Sequence, residues 1–115
     1  MSNENKLFGT QGEDQALEYL LGKGFILVGR NVRFYCGEID LLMQDKKDLV
    51  IVEVKTKSNE SFGRASDMIT SRKKRKLLQL AKSLWQKYPK RNIRIDVVAI
   101  DNNKIDHLVS AVEER

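Results

Sequence analysis

The chain has one cysteine, Cys36, and one histidine, His107, among its 115 residues. A lone thiol excludes an internal disulfide framework. One thiol and one imidazole cannot assemble a zinc site of the usual Cys/His kind. Neither a Walker A motif nor a G-x-G-x-x-G run is present, which argues against nucleotide binding of those kinds. No G-x-S-x-G elbow accompanies His107, so it is expected to be a surface or packing residue rather than part of a serine triad. No apolar run approaches the roughly 18 residues of a membrane span. The polar start, Met1 to Lys6, carries no signal-peptide hydrophobic region. These absences lead to the expectation of a cytoplasmic protein that does not engage a membrane.

What is present is an ordinary balance of 41% apolar and 32% charged residues. The length suits one domain with a modest core. It is read as a single unit over 1–115, with 1–8 and 110–115 as flexible ends. The net charge of +5 is spread unevenly. From Lys55 to Arg91 there are 12 basic and 2 acidic residues, against 9 and 14 in the remainder. Such segregation points to one side of the molecule meeting a polyanion.

The spacing predicts a helix from about Gln11 to Lys23, with Ala16, Leu17, Leu20 and Leu21 as its apolar stripe and Thr10 as N-cap. Phe25 to Phe34 reads as a strand interrupted by Gly29. Two strand-like runs follow, from Gly37 to Met43 and from Leu49 to Lys55. Ser58 to Thr70 is polar and irregular, read as a loop beside the site. A second helix is expected over Arg72 to Tyr88, capped by Ser71 and stopped by Pro89. Its stripe is Leu77, Leu80 or Ala81, Leu84 and Tyr88, widened by Leu78 and Trp85. Arg94 to Ile100 is another strand, and Lys104 to Val109 a last short one. This order predicts an α/β or α+β sandwich with a mixed sheet covered by helices.

The chemistry is expected where Asp40 and Glu53 interrupt the two central apolar runs. A charge in the middle of a strand is costly unless something pairs with it. If Lys46-Lys47 is a two-residue turn, Asp45 faces Asp48, and the same register sets Asp40 opposite Glu53 and Glu38 opposite Lys55. Directly opposed residues have Cβ atoms about 4.5–5.5 Å apart, and opposed like charges destabilise a sheet. Two carboxylates at that distance can share a Mg²⁺ ion, which takes oxygen ligands and keeps several waters. Lys55, on the same face as Glu53, would offset charge at a reacting phosphate or position a water. The plain alternative is a hairpin with an exposed polar face. A three-residue loop would separate the two acids onto opposite faces.

Two further features bear on this site. Glu13 projects from the first helix toward the sheet and would reach Asp40 and Glu53 as a third acid. It also completes a capping box with Thr10, and both readings stand. The run Arg72, Lys73, Lys74, Arg75 and Lys76 opens the second helix, where cations oppose the macrodipole by about 0.3–1 kcal/mol each. A bound phosphate would compensate them, so these residues and Lys57 are expected to contact a nucleic-acid backbone. Arg94 and Asp96 share a strand face and are expected to pair with each other.

Gly12-Glu13, Arg30-Asn31-Val32-Arg33, Gly37-Glu38-Ile39-Asp40-Leu41, Val52-Glu53-Val54-Lys55-Thr56-Lys57 and Arg94-Ile95-Asp96-Val97-Val98 resemble the successive motifs of the YraN family. The likeness runs from about Gly9 to Ile100. The family in turn resembles archaeal Holliday junction resolvases and the PD-(D/E)xK nucleases. That resemblance implies an α/β, restriction-endonuclease-like core with a central mixed β-sheet flanked by helices. It implies Asp40 and Glu53 as metal ligands, Lys55 as the catalytic lysine, Glu13 as an additional site and metal acid, and a homodimer. Ile39 stands where the superfamily pattern has proline. The expected function is Mg²⁺- or Mn²⁺-dependent endonuclease action on DNA, with branched or structured DNA as the implied substrate. A catalytically silent nucleic-acid-binding module working with a partner is the alternative, and an adaptor for an acidic protein a third reading.

Overall fold

The two central runs fold into the hairpin that their spacing predicts. In the computed structural model, which describes residues 4–57, 69–102 and 104–113, with side chains from residue 11 onward except that of Lys57, β2 (Gly37–Asp45) and β3 (Asp48–Lys57) pair antiparallel across Lys46-Lys47. Asp45 lies opposite Asp48, as the two-residue turn requires. Lys46 takes a left-handed φ of 57°, the conformation such tight hairpins demand at the tip.

β1 (Ile26–Phe34) adds antiparallel to the outer edge of β2, and its register slips at Gly29, where a bulge replaces the interruption read in the sequence. From β3 the chain crosses over through α2 (Ser71–Lys87) to β4 (Asn92–Asp101), which runs parallel to β3. Parallel neighbours need such a crossover, because no hairpin can join them. β5 (Lys104–Leu108) turns back antiparallel on β4. The five-stranded sheet is therefore mixed, in the order β1-β2-β3-β4-β5.

α1 (Glu4–Gly22) covers one face, where Ala16 and Leu20 pack with Leu41, Met43, Val50, Val52 and Val98. α2 covers the other, with Leu77, Leu80 and Leu84 against Leu42, Leu49, Ile51 and Ile95. Along β3, even-numbered residues thus face α1 and odd-numbered ones face α2, as strand alternation dictates. Glu53 and Lys55 belong to the α2 face by the same rule. The architecture is the expected α/β one, consistent with a restriction-endonuclease-like fold. No helix of the described residues is long and apolar enough to cross a membrane.

Several local expectations need correction. α1 starts at Glu4 rather than near Gln11, so Thr10 lies inside the helix and is not its N-cap. No proline interrupts the added turns, and Gly9 costs a helix interior only about 1 kcal/mol. Leu21 is exposed, outside the α1 stripe, and Trp85 is 52% exposed instead of widening the α2 stripe. The N-cap of α2 is Thr70, one residue earlier than expected, its hydroxyl accepting from the Lys73 N–H at 3.1 Å. The segment after β5 is held down: Ala111 N–H donates to the Ile95 carbonyl at 2.8 Å, and Val112 is buried. The expected loop at 58–68 lies outside the described residues.

A buried carboxylate ties the sheet's far edge together. Asp96 is fully buried on β4 and accepts from Arg94 Nε and Nη2 (2.9 Å each), His107 Nε2 (2.8 Å) and the Ser110 N–H (3.0 Å). Lys23 Nζ lies 2.9 Å from His107 Nδ1. A charged ammonium only donates, so Nδ1 accepts and the ring proton sits on Nε2, facing Asp96. Burial pushes the Asp96 pKa up, but these hydrogen bonds and the Arg94 charge outweigh it and hold the carboxyl below its ordinary value. His107 is a packing residue, as expected, and Arg94 pairs with Asp96.

Candidate functional site

The site forms where the β2–β3 ladder ends. Paired positions run from Asp45 and Asp48 at the tip to Leu41 and Val52, and the next position in register holds Asp40 and Glu53. Beyond that point no pairing continues, so Glu38 does not face Lys55 and instead meets Arg33 across the β1 side at 3.1 Å. The Asp40 carboxylate accepts a hydrogen bond from the Val54 N–H. This side-chain bond satisfies a donor where the ladder has stopped.

Glu53 is 5% exposed and Asp40 half-buried. Burial pushes the pKa of Glu53 up, and the neighbouring Asp40 charge pushes it further; Lys73 and Lys55 act the other way. Asp40 is likewise raised, by burial first, against the pull of Lys73, the Val54 hydrogen bond and Lys55. A buried carboxylate raised by its neighbour's charge calls for a cation, since like charges in one site disfavour ionisation; the like charge acting on Asp40 is that of Glu38. Lys73 supplies one: its Nζ lies 3.3 Å from Glu53 Oε2.

Lys73 therefore stands at the acid pair itself, whereas the sequence assigns it only to backbone contacts. Helical spacing carries the missed signal. Lys73 precedes the buried Leu77 by four and Leu80 by seven, so it shares their sheet-facing side. Its neighbours Arg72, Lys74, Arg75 and Lys76 are exposed. Lys55 is half-buried at the site, and Lys57 ends β3 in register with Asp101.

Glu13 approaches from α1. Gly12 makes this possible: a Cβ built there would stand 2.5 Å from Thr56 Cγ2, so only glycine lets the helix lie this close to β3. The Glu13 pKa is raised, by burial and then by Asp40, against the hydrogen bond and charge of Arg30. Arg30 Nη2 bridges Glu13 Oε1 (3.5 Å) and Asp14 Oδ1 (2.9 Å), while its shielded Nε has no hydrogen-bond partner among the described residues. With α1 beginning at Glu4, the capping-box reading of Glu13 falls and its place near Asp40 stands. Arg30, absent from the expected site residues, is what orients it.

The carboxylate pair fits a hard divalent cation in donor type, and the lysines beside it do not cancel the upward shift of either acid. The three acids do not close into a cage: among the described residues no group of three or more acids, histidines or cysteines is placed to hold a metal. Any ion here would rest on Asp40 and Glu53 and complete its shell with water.

Fold and site together define an α/β protein with two acids and two lysines gathered at the open end of a central hairpin. The chain belongs to the uncharacterised protein family UPF0102, the family to which its motifs point, whose model matches residues 12–100. It is 44% identical over 109 residues to a UPF0102 protein of Janthinobacterium sp. (strain Marseille), covering 94% of this chain and 89% of that one. A relative from Geotalea uraniireducens (strain Rf4) is 40% identical over 115 residues, covering 96% and 87%. One from Persephonella marina is 36% identical over 107 residues, covering 91% and 92%.

Proposed function

We propose that the protein is a divalent-metal-dependent nuclease acting on DNA, with Asp40 and Glu53 as the metal ligands. The observation that carries this reading is the meeting of buried Glu53 with half-buried Asp40, whose charge raises the Glu53 pKa, at the end of the β2–β3 ladder. Mg²⁺ or Mn²⁺ held there would polarise a phosphodiester and lower the pKa of a bound water. Lys55 offsets charge at the phosphate or orients the attacking water. Lys73, released from Glu53, is free to meet a phosphate oxygen. Glu13, steered by Arg30, adds negative charge beside Asp40. Arg72, Lys74, Arg75 and Lys76 grip the backbone. The resemblance to resolvases extends the proposal to branched DNA and to a homodimer.

One observation favours a second reading. The Lys73–Glu53 ion pair answers part of the acid pair's charge without any metal, as a silent binding module would require. The test is cleavage of labelled single-stranded, duplex, flap and four-way DNA with Mg²⁺ or Mn²⁺, wild type beside Glu53→Ala. Cutting by wild type alone, abolished by EDTA, is expected. No cutting of any substrate, with gel shifts intact, would replace the nuclease with the binding module.

A further inference from the structure

The only tryptophan of the chain stands in water on α2, at the opposite end from Lys73. Trp85 is 52% exposed although Leu84 beside it is 1% exposed. It lines a cleft of about 890 Å³ between α2, the start of β4 and the segment after β5. Lys82 and Leu78 line it from the same helix, and Arg91 and Asn92 from the approach to β4. Leu78, Ser110, Val112 and Glu113 also line a second cavity that reaches Lys74. The two cavities therefore form one trough along the side of α2, from the basic N-terminus to Trp85.

The charge of this trough is complementary to a polyanion. Lys74 and Lys82 are exposed, and no described acid pairs with either at ion-pair distance. Of its two acids, Asp48 is already engaged by Arg94 at 3.5 Å, which leaves Glu113 at the rim. Arg91 is fixed by its bonds to the Lys47 carbonyl (3.1 Å) and Gln44 (2.9 Å), so it presents charge from a set position. An exposed indole among cations is the arrangement that stacks an unpaired base while the basic groups follow its backbone.

The 12 residues from Lys73 to Trp85 place the indole about 18 Å from the acid pair along the helix, about five base steps of B-DNA. A duplex keeps its bases paired and offers no ring face to Trp85 along its length. An unpaired strand does.

We infer that Trp85, with Lys82 and Lys74, binds an unpaired strand of the nucleic acid whose phosphate lies at Asp40 and Glu53. This deepens the proposed function and rests on it for the substrate at the acid pair. The stacking site itself is tested without cleavage. Because Trp85 is the sole tryptophan, its fluorescence reports contact directly.

The Glu53→Gln chain in EDTA is titrated with oligo(dT) and with a blunt-ended hairpin duplex. Quenching by oligo(dT) and not by the duplex is expected. By anisotropy of labelled DNA, Trp85→Ala should weaken oligo(dT) binding by about tenfold, leave duplex affinity unchanged, and be largely rescued by Trp85→Phe. Lys82→Ala should lower the salt slope for oligo(dT) by about 0.7. Oligo(dT) binding without quenching, or an equal loss for both DNAs in Trp85→Ala, would overturn the stacking site. The two readings fail separately: quenching without cleavage by the wild type removes only the nuclease, and cleavage without quenching removes only the platform.

Discussion

Glu53 shows what a buried carboxylate costs the folded protein. Its pKa is raised by burial and by Asp40, so the folded state holds the proton more tightly than the unfolded chain does. Stability from this group is therefore greatest in acid, and it falls as pH rises from the ordinary value of 4.5 through the higher folded one. Glu53→Gln removes that cost while leaving Lys73 near Asp40. In EDTA at pH 8 the variant should melt a few degrees above wild type, and the difference should vanish near pH 3.5. Thermal melts at both pH values check this, and a lower Tm at pH 8 would show that the Lys73 pair outweighs burial. The acid pair was legible from two charges in apolar runs and one turn length. Arg30 was not, because nothing local to it announces that Glu13, far away in the chain, would be its partner.

The elements hold the site through a few close approaches. α1 rests on β3 at Gly12, and there local and tertiary preferences conflict. Alanine favours a helix over glycine by about 1 kcal/mol, yet its methyl would meet Thr56 Cγ2. Gly12→Ala should therefore destabilise by about 1 kcal/mol net, since overpacking costs about 1–3 kcal/mol. Gly12→Ala combined with Thr56→Ser, which deletes the clashing methyl, should recover that loss and show positive coupling in urea unfolding. Additive effects would mean that α1 does not press on β3 at this point. Helix periodicity placed Leu77, Leu80 and Leu84 correctly and misplaced Trp85. Period alone finds the centre of a buried face; how wide that face is depends on what packs beside it, and Trp85 is left 52% exposed at the edge of a cleft.

On the scale of the molecule, charge and topology act together. The crossover through α2 carries the basic run from the end of β3 to the acid pair and lays the rest of the helix alongside the sheet. Replacing Arg72, Lys74, Arg75 and Lys76 by alanine should reduce the salt slope of duplex binding by up to about 3.6, at about 0.9 per phosphate contact. Fluorescence anisotropy between 50 and 200 mM salt measures it, and an unchanged slope would move the DNA path away from α2. The α/β class, the hairpin register and the acids at Asp40 and Glu53 followed from alternation, turn length and charge, all of them short-range in the chain. Lys73 as the partner of Glu53, Arg30 as the holder of Glu13 and the exposure of Trp85 did not. Each depends on which face of one element meets which face of another, and that choice is made by packing between residues distant in sequence.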